Sequence, residues 1–187
     1  MELEEGEKIT VENLLYGLLV QSGNDAAKAL ADYYPGGEEA FVKAMNQKAQ
    51  DLGLQNTQFK NPTGLDQFGH YTSVHDLVLL AAAAMRQPTF AKMVGTPAIT
   101  VTDVDNTIVH ELETINDLLG VVEGLSGVKT GWTELAGECL VTYVERDGRA
   151  IITVVLASSD RFGESATLID WVYQNFNWQA VPESSLQ

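Results

Sequence analysis

Two residue triplets carry side chains suited to chemistry: Ser22-Gly23-Asn24 and Lys129-Thr130-Gly131. A serine hydroxyl and an asparagine amide in one tight turn can relay protons and hold a substrate amide. In the second triplet the lysine supplies positive charge and the threonine a hydrogen-bond donor, while the glycine opens the strand backbone to close approach. These are parts of acyl transfer through a serine, on a substrate that ends in a carboxylate. That reaction also needs a nucleophilic hydroxyl with a base beside it, and backbone donors at the developing oxyanion. Taken singly, each triplet also reads as ordinary structure: a turn with a helix cap, and an exposed strand end before a loop.

Helical patterns position the first triplet. Thr10 caps a helix over 10–20 whose stripe is Val11, Leu14, Leu15, Leu18 and Leu19. Gln21-Ser22-Gly23 breaks it. Asn24 or Asp25 caps a second helix, from Ala26 to about Tyr34, which Pro35-Gly36-Gly37 stops. A third runs from about Glu38 to Leu52, with Phe41, Met45, Ala49 and Leu52 on one face and Gly53 past its end. After a turn-rich stretch at 57–72, Ser73 caps a helix to about Met85, and a short helical piece follows Pro88.

Strand patterns position the second triplet. Thr100-Val101-Thr102 and Thr107-Ile108-Val109 suggest a hairpin, and Leu125 to Thr130 reads as a short strand. Asp147-Gly148 joins Glu138–Arg146 to Arg149–Ala157 in a second hairpin. Ile151 to Leu156 is apolar except for Thr153, which predicts a central strand covered on both faces. Glu164 to Phe176 reads as a closing helix with Leu168, Ile169, Trp171, Val172 and Phe176 inward. The order predicts an α+β fold over residues 1–178: a helical lobe beside an antiparallel sheet with a C-terminal helix. Residues 179–187 are expected to form a flexible tail.

Composition narrows the function. With 187 residues, 45% hydrophobic and 20% charged, the chain can bury one substantial core. A net charge of -15 repels phosphate backbones, so no nucleic-acid partner is expected; simple solubility accounts for the charge. The single cysteine, Cys139, precludes an intrachain disulfide and reads as a small buried thiol. His70, His75 and His110 lack a metal-ligand spacing, so no metal is expected. The acidic first residues do not read as a signal peptide, and the longest apolar run, Leu77 to Met85, is too short to span a membrane.

In this setting the triplets resemble those of the penicillin-recognising serine enzymes, whose set is Ser-x-x-Lys, Ser-x-Asn and Lys-Thr-Gly. Leu14 to Ala27, Asn61-Pro62-Thr63-Gly64-Leu65 with Gly69-His70-Tyr71-Thr72-Ser73, and Gly127 to Thr133 with Ala136-Gly137 are similar to one family in particular. It is the serine D-alanyl-D-alanine carboxypeptidases, peptidase family S11, and the resemblance runs from about Gly6 to Phe176. It implies a β-lactamase/transpeptidase-like fold that needs no cofactor. It also implies an enzyme acting on peptidoglycan pentapeptides ending in D-Ala-D-Ala through a serine acyl-enzyme, binding of β-lactams, and an extracytoplasmic location. Ser22 and Asn24 would line the cleft. Lys129 and Thr130 would bind the carboxylate, with Gly131 allowing close approach. Arg161 would help hold that carboxylate, or else is a surface cation beside Asp160 or Glu164. A D,D-endopeptidase, a class A β-lactamase-like enzyme, a non-catalytic binding module and an unrelated α+β binding domain stay open as alternatives.

The sequence departs from the family pattern twice. Ser-x-x-Lys is matched only by Ser126-Gly127-Val128-Lys129, which reads as strand. Positions three apart on a strand point to opposite faces, whereas one helical turn aims both side chains at one cleft. The nucleophile and its lysine are therefore expected upstream, and the chain reads as N-terminally truncated. Alone it is expected to be inactive and to self-associate through uncovered surface. Second, Trp132 stands where many family members carry histidine; it offers an apolar stacking wall in place of a titratable group.

Overall fold

The computed structural model describes residues 1–179, so all of the expected tail but residue 179 lies outside the described residues. The helical lobe holds α1 (Val11–Leu19), α2 (Asn24–Tyr33), α3 (Gly37–Asp51), α4 (Val74–Met85) and α5 (Pro88–Val94). A hairpin of β1 (Ala98–Thr102) and β2 (Val109–Glu113) follows. The chain then forms an antiparallel meander of β3 (Leu125–Thr133), β4 (Gly137–Arg146) and β5 (Arg149–Ser158), and closes with α6 (Arg161–Asn175). This is the α+β architecture read from the sequence.

Local chemistry explains the boundaries. Thr10 Oγ1 accepts the Asn13 amide at 3.1 Å and starts α1; Ser73 Oγ accepts the Asp76 amide at 3.2 Å and starts α4. The cap of α2 is Gly23, which makes no side-chain bond. Asp25 instead accepts from Ala26 N at 2.8 Å, Leu3 N at 3.0 Å and the Met1 ammonium at 3.1 Å, tying the first residues to α2. Asp147 and Gly148 take φ of +52° and +71°, as the two-residue turn between β4 and β5 requires.

Three expectations are corrected. Thr107 and Ile108 lie outside the first hairpin's strands because the Asp103 carboxylate captures their amides at 2.6 and 2.9 Å and bends the chain. The sheet order is β3-β4-β5, so β4 is central and β5 is an end strand. Both α4 and α6 pack against β5, so its apolar run reflects covered faces, while only β4 pairs with it laterally among the described residues. On α6 the inward stripe is Phe162, Ser165, Ile169 and Tyr173, spaced by three and four residues. Leu168, Trp171 and Phe176 fall on the other side and are 41%, 52% and 51% exposed.

Two apolar clusters form the core. Tyr16, Val20, Met93, Val101 and Leu112 join α1 and α5 to the first hairpin. Leu118, Leu125, Leu140, Val144 and Ile169 lie between the meander and α6. On β2, His110 alternates inward with Leu112. Its ring nitrogens lie 2.9 Å from Met1 O and 2.7 Å from Glu7 Oε1, with the two side chains 4% and 2% exposed. The first eight residues are thereby pinned over the first cluster.

Candidate active site

The bend between α1 and α2 is short because Gly23 N donates to Gly17 O at 3.0 Å. The bend puts Ser22 in the left-handed region, φ +60°, a rare conformation for a residue with a side chain. Ala26, Ala27 and Ala31 are buried on α2 and let the two helices pack closely.

Lys129 reaches this bend from β3. Its Nζ donates to Ser22 Oγ at 2.8 Å, across 107 residues of sequence, and to Thr130 O at 3.0 Å. Burial, and the Arg161 charge nearby, pull the ammonium down to about 8. Arg161 opens α6, and its backbone N donates to Glu138 Oε2 at 3.1 Å while Nη1 donates to Gly131 O at 3.0 Å. The guanidinium thus turns to the strand of the second triplet. Asp160 meanwhile caps α6, its Oδ1 accepting the Gly163 amide at 2.9 Å.

Among the described residues four buried side-chain atoms have no partner, Asn116 Nδ2, Ser165 Oγ and, in this group, the Thr130 hydroxyl and Arg161 Nε. Buried polar groups are normally paired, so these two donors stand out in a group that also carries the Lys129 ammonium. Gly131, next after Thr130 on β3, accepts from the Arg161 guanidinium and is exposed. The structure therefore brings together Ser22, Lys129, Thr130, Gly131 and Arg161. Asn24 opens α2 next to the bend and is itself exposed. Ser126 lies in β3, so the one Ser-x-x-Lys match is strand, as expected.

Several contributors escaped the sequence reading. Asp66, in the turn-rich loop, accepts Thr133 Oγ1 at 2.7 Å and Leu135 N at 3.3 Å, tying that loop to the end of β3. The contact spans 67 residues and leaves no local pattern. Glu7 is likewise joined to a partner distant in sequence, His110. The inward alternation of β2 was the available signal for His110. Cys139, expected to be buried, is only half-buried; it stands opposite Gly131, where the facing residue offers no side chain to cover it.

Comparison with known proteins finds one matching family model and several similar proteins. The family model described as D-alanyl-D-alanine carboxypeptidase, peptidase S11, matches residues 1–160. The chain is 37% identical over 177 residues to the D-alanyl-D-alanine carboxypeptidase DacF of Bacillus subtilis, covering 93% of this chain and 45% of that protein. It is 36% identical over 181 residues to DacD of Escherichia coli, covering 94% of this chain and 45% of that protein. Among solved structures, the crystal structure of the Streptomyces K15 DD-transpeptidase superposes with a TM-score of 0.87 at 36% identity, over 92% of this chain and 71% of that one. The chain spans less than half the length of the two curated relatives.

Proposed function

From a chain that belongs to the D-alanyl-D-alanine carboxypeptidase family, we propose the following activity for the whole protein. It releases the terminal D-alanine of peptidoglycan pentapeptides through a serine acyl-enzyme, and residues 1–178 are part of its transpeptidase-like domain. In acylation a serine oxygen bonds to the penultimate D-alanine carbonyl carbon, the peptide C–N bond breaks, and the departing amine takes a proton. Water then hydrolyses the ester. A β-lactam acylates the same serine when its ring amide opens.

The observation that carries the reading is the Lys129–Ser22 hydrogen bond at 2.8 Å, which joins the two motifs at one cleft. Ser22 relays a proton at the reacting centre, and Asn24 holds the substrate amide. Lys129, Thr130 and Arg161 hold the carboxylate, and Gly131 lets the peptide lie against β3. Removal of a terminal residue by carboxypeptidation fits these roles, because a lysine and an arginine at one cleft favour a ligand with a free carboxylate.

The chain by itself forms no acyl-enzyme, since its one Ser-x-x-Lys match lies in a strand. It self-associates through the edge of β5 that is unpaired among the described residues. The family relation supports an extracytoplasmic location for the protein; among the described residues no helix is long and apolar enough to cross a membrane.

A fluorescent penicillin, read by intact mass, tests the proposal. Expected is no covalent adduct on this chain and one adduct on a longer natural chain that includes an upstream Ser-x-x-Lys. An adduct on this chain overturns its inactivity; a longer chain that never labels overturns the family activity.

A further inference from the structure

Asp66 stands outside both triplets, yet it ties the helical lobe to β3 a short way along the strand from Lys129. Alternate residues of a strand share a face, and the β3–β4 register is regular from Val128 to Thr133. Lys129, Gly131 and Thr133 therefore lie on one face of β3. Lys129 crosses from it to Ser22 at 2.8 Å. Thr133 Oγ1 donates to Asp66 Oδ1 at 2.7 Å, and Leu135 N donates to Asp66 Oδ2 at 3.3 Å. The two crossings start four residues apart, roughly 13 Å at the usual rise. Between them Gly131 carries no side chain, and a Cβ added there would meet only Cys139 Cβ, at 3.7 Å. The crossings thus bound a short trough with Gly131 as its floor.

The loop that presents Asp66 is held by bonds of its own. At its base Asp76 accepts from Asn56 N and Thr57 Oγ1, both at 2.7 Å, and the backbones of Gln58 and Tyr71 pair. Asn46 clips Phe59 through its amide N at 2.9 Å and its carbonyl at 2.8 Å. Asn61 braces the turn within, accepting from Gly64 N at 2.8 Å and donating to Leu65 O at 3.0 Å. Gly64 and Gly69, with φ of +82° and +80°, bracket the tip. None of these bonds uses Asp66, whose carboxylate serves only the end of the β3–β4 hairpin. There Thr133 Oγ1 also accepts Ala136 N at 3.0 Å, so the same hydroxyl shapes the hairpin turn.

We infer that Asp66 is a positioning residue: with Thr133 it closes the outer end of the trough and holds the outer half of β3 where a peptide lies against it. This rests on the reading that the substrate peptide lies along β3. A ligand confined to the Lys129 end does not reach the Asp66 wall, whereas one that runs past Gly131 lies against it. Asp66 touches no reacting atom, so its contribution falls on binding and not on the chemical step.

The test uses the longer natural chain that includes an upstream Ser-x-x-Lys. Its two reactants are acetyl-L-alanyl-D-alanyl-D-alanine and 6-aminopenicillanic acid, a compact β-lactam without an acyl side chain. Asp66→Ala is expected to raise KM for the tripeptide about tenfold with kcat little changed, from loss of one charge-assisted hydrogen bond. Acylation by 6-aminopenicillanic acid, read by intact mass, slows less than about twofold. Asp66→Asn keeps an acceptor for Thr133 Oγ1 and recovers most of the loss. Thr133→Val reproduces the loss, and both changes together do no more than either alone. The urea midpoint holds in each variant, because the other bonds of the loop remain. An unchanged KM, a loss that falls on kcat, an equal loss with 6-aminopenicillanic acid, effects that add, or a lowered urea midpoint overturns the role of Asp66 while the carboxypeptidase reading stands. A longer chain that forms no adduct and cleaves no peptide overturns that reading and the inference with it.

Discussion

Lys129 carries the pH response of the site. Its ammonium is held at about 8, first by burial and then by the charge of Arg161. Below that pH the lysine is cationic and attracts a carboxylate; above it the attraction falls to Arg161 and neutral donors. Affinity for acetyl-D-alanyl-D-alanine is therefore expected to weaken as pH rises through 8, and a titration series from pH 6.5 to 9.5 checks this. In Lys129→Met the same series should be flat. The linkage for folding has the opposite sense. The unfolded lysine holds its proton up to 10.5, so between about 8 and 10.5 the unfolded state binds more protons and Lys129 makes stability rise with pH.

At this scale the sequence showed most of the site but not all of it. Ser22, Lys129, Thr130 and Gly131 were legible because each sits in a short ordered triplet, whereas Arg161 was suggested only by the family resemblance. Asp66 and Glu7 were not, because their partners are 67 and 103 residues away and their own neighbours look like any polar surface.

Among the elements, the meander has a polar pair inside an apolar sheet. Thr142 Oγ1 and Thr153 Oγ1 lie 2.7 Å apart, both residues buried, on the face under α6. Thr142→Val alone strands one buried hydroxyl and is expected to cost about 1–3 kcal/mol in urea unfolding. The double change Thr142→Val with Thr153→Val removes both polar groups and should recover most of that loss. The start of α4 behaves differently. Burial pushes the Asp76 carboxyl up, but hydrogen bonds from Thr57 Oγ1 and Asn56 N, both at 2.7 Å, outweigh it and leave the group below its ordinary value of 3.8. Its stabilising contribution is present above pH 3.8 and is lost as pH falls through the lower folded value. Urea midpoints measured from pH 5 to pH 2 should fall less steeply in Asp76→Asn than in the unaltered chain.

Helix existence was read well because caps and stops are local: Thr10, Ser73 and Pro88 act on the residues beside them. The rank of β5 was not, since an apolar run reports covered faces and says nothing about lateral partners. The inward side of α6 was misjudged for a related reason. Large apolar residues occur all around it, and only the site of contact, at Ile169, selects a stripe.

For the molecule as a whole, the edge of β5 that is unpaired among the described residues is the main liability. Residues 150–157 include no charge and no proline, the usual means of blunting an edge strand. On one side of it α4, VHDLVLLAAAAM, is apolar almost throughout, yet Val74 and Leu79 are 46% and 38% exposed. Light scattering is expected to report dimers or larger species, with binding of ANS. A monodisperse monomer that leaves ANS dark would refute this.

The hydrogen bond from Lys129 to Ser22 also spans the two buried clusters, one organised around Tyr16 and the other around Ile169. A carboxylate seated at that junction would act as a clasp between units able to open separately. Its binding free energy would enter the cooperativity of unfolding, raising the melting midpoint by mass action. Amide exchange should then slow in α1 and in β4 together, at a distance from the bound molecule, when acetyl-D-alanyl-D-alanine is added.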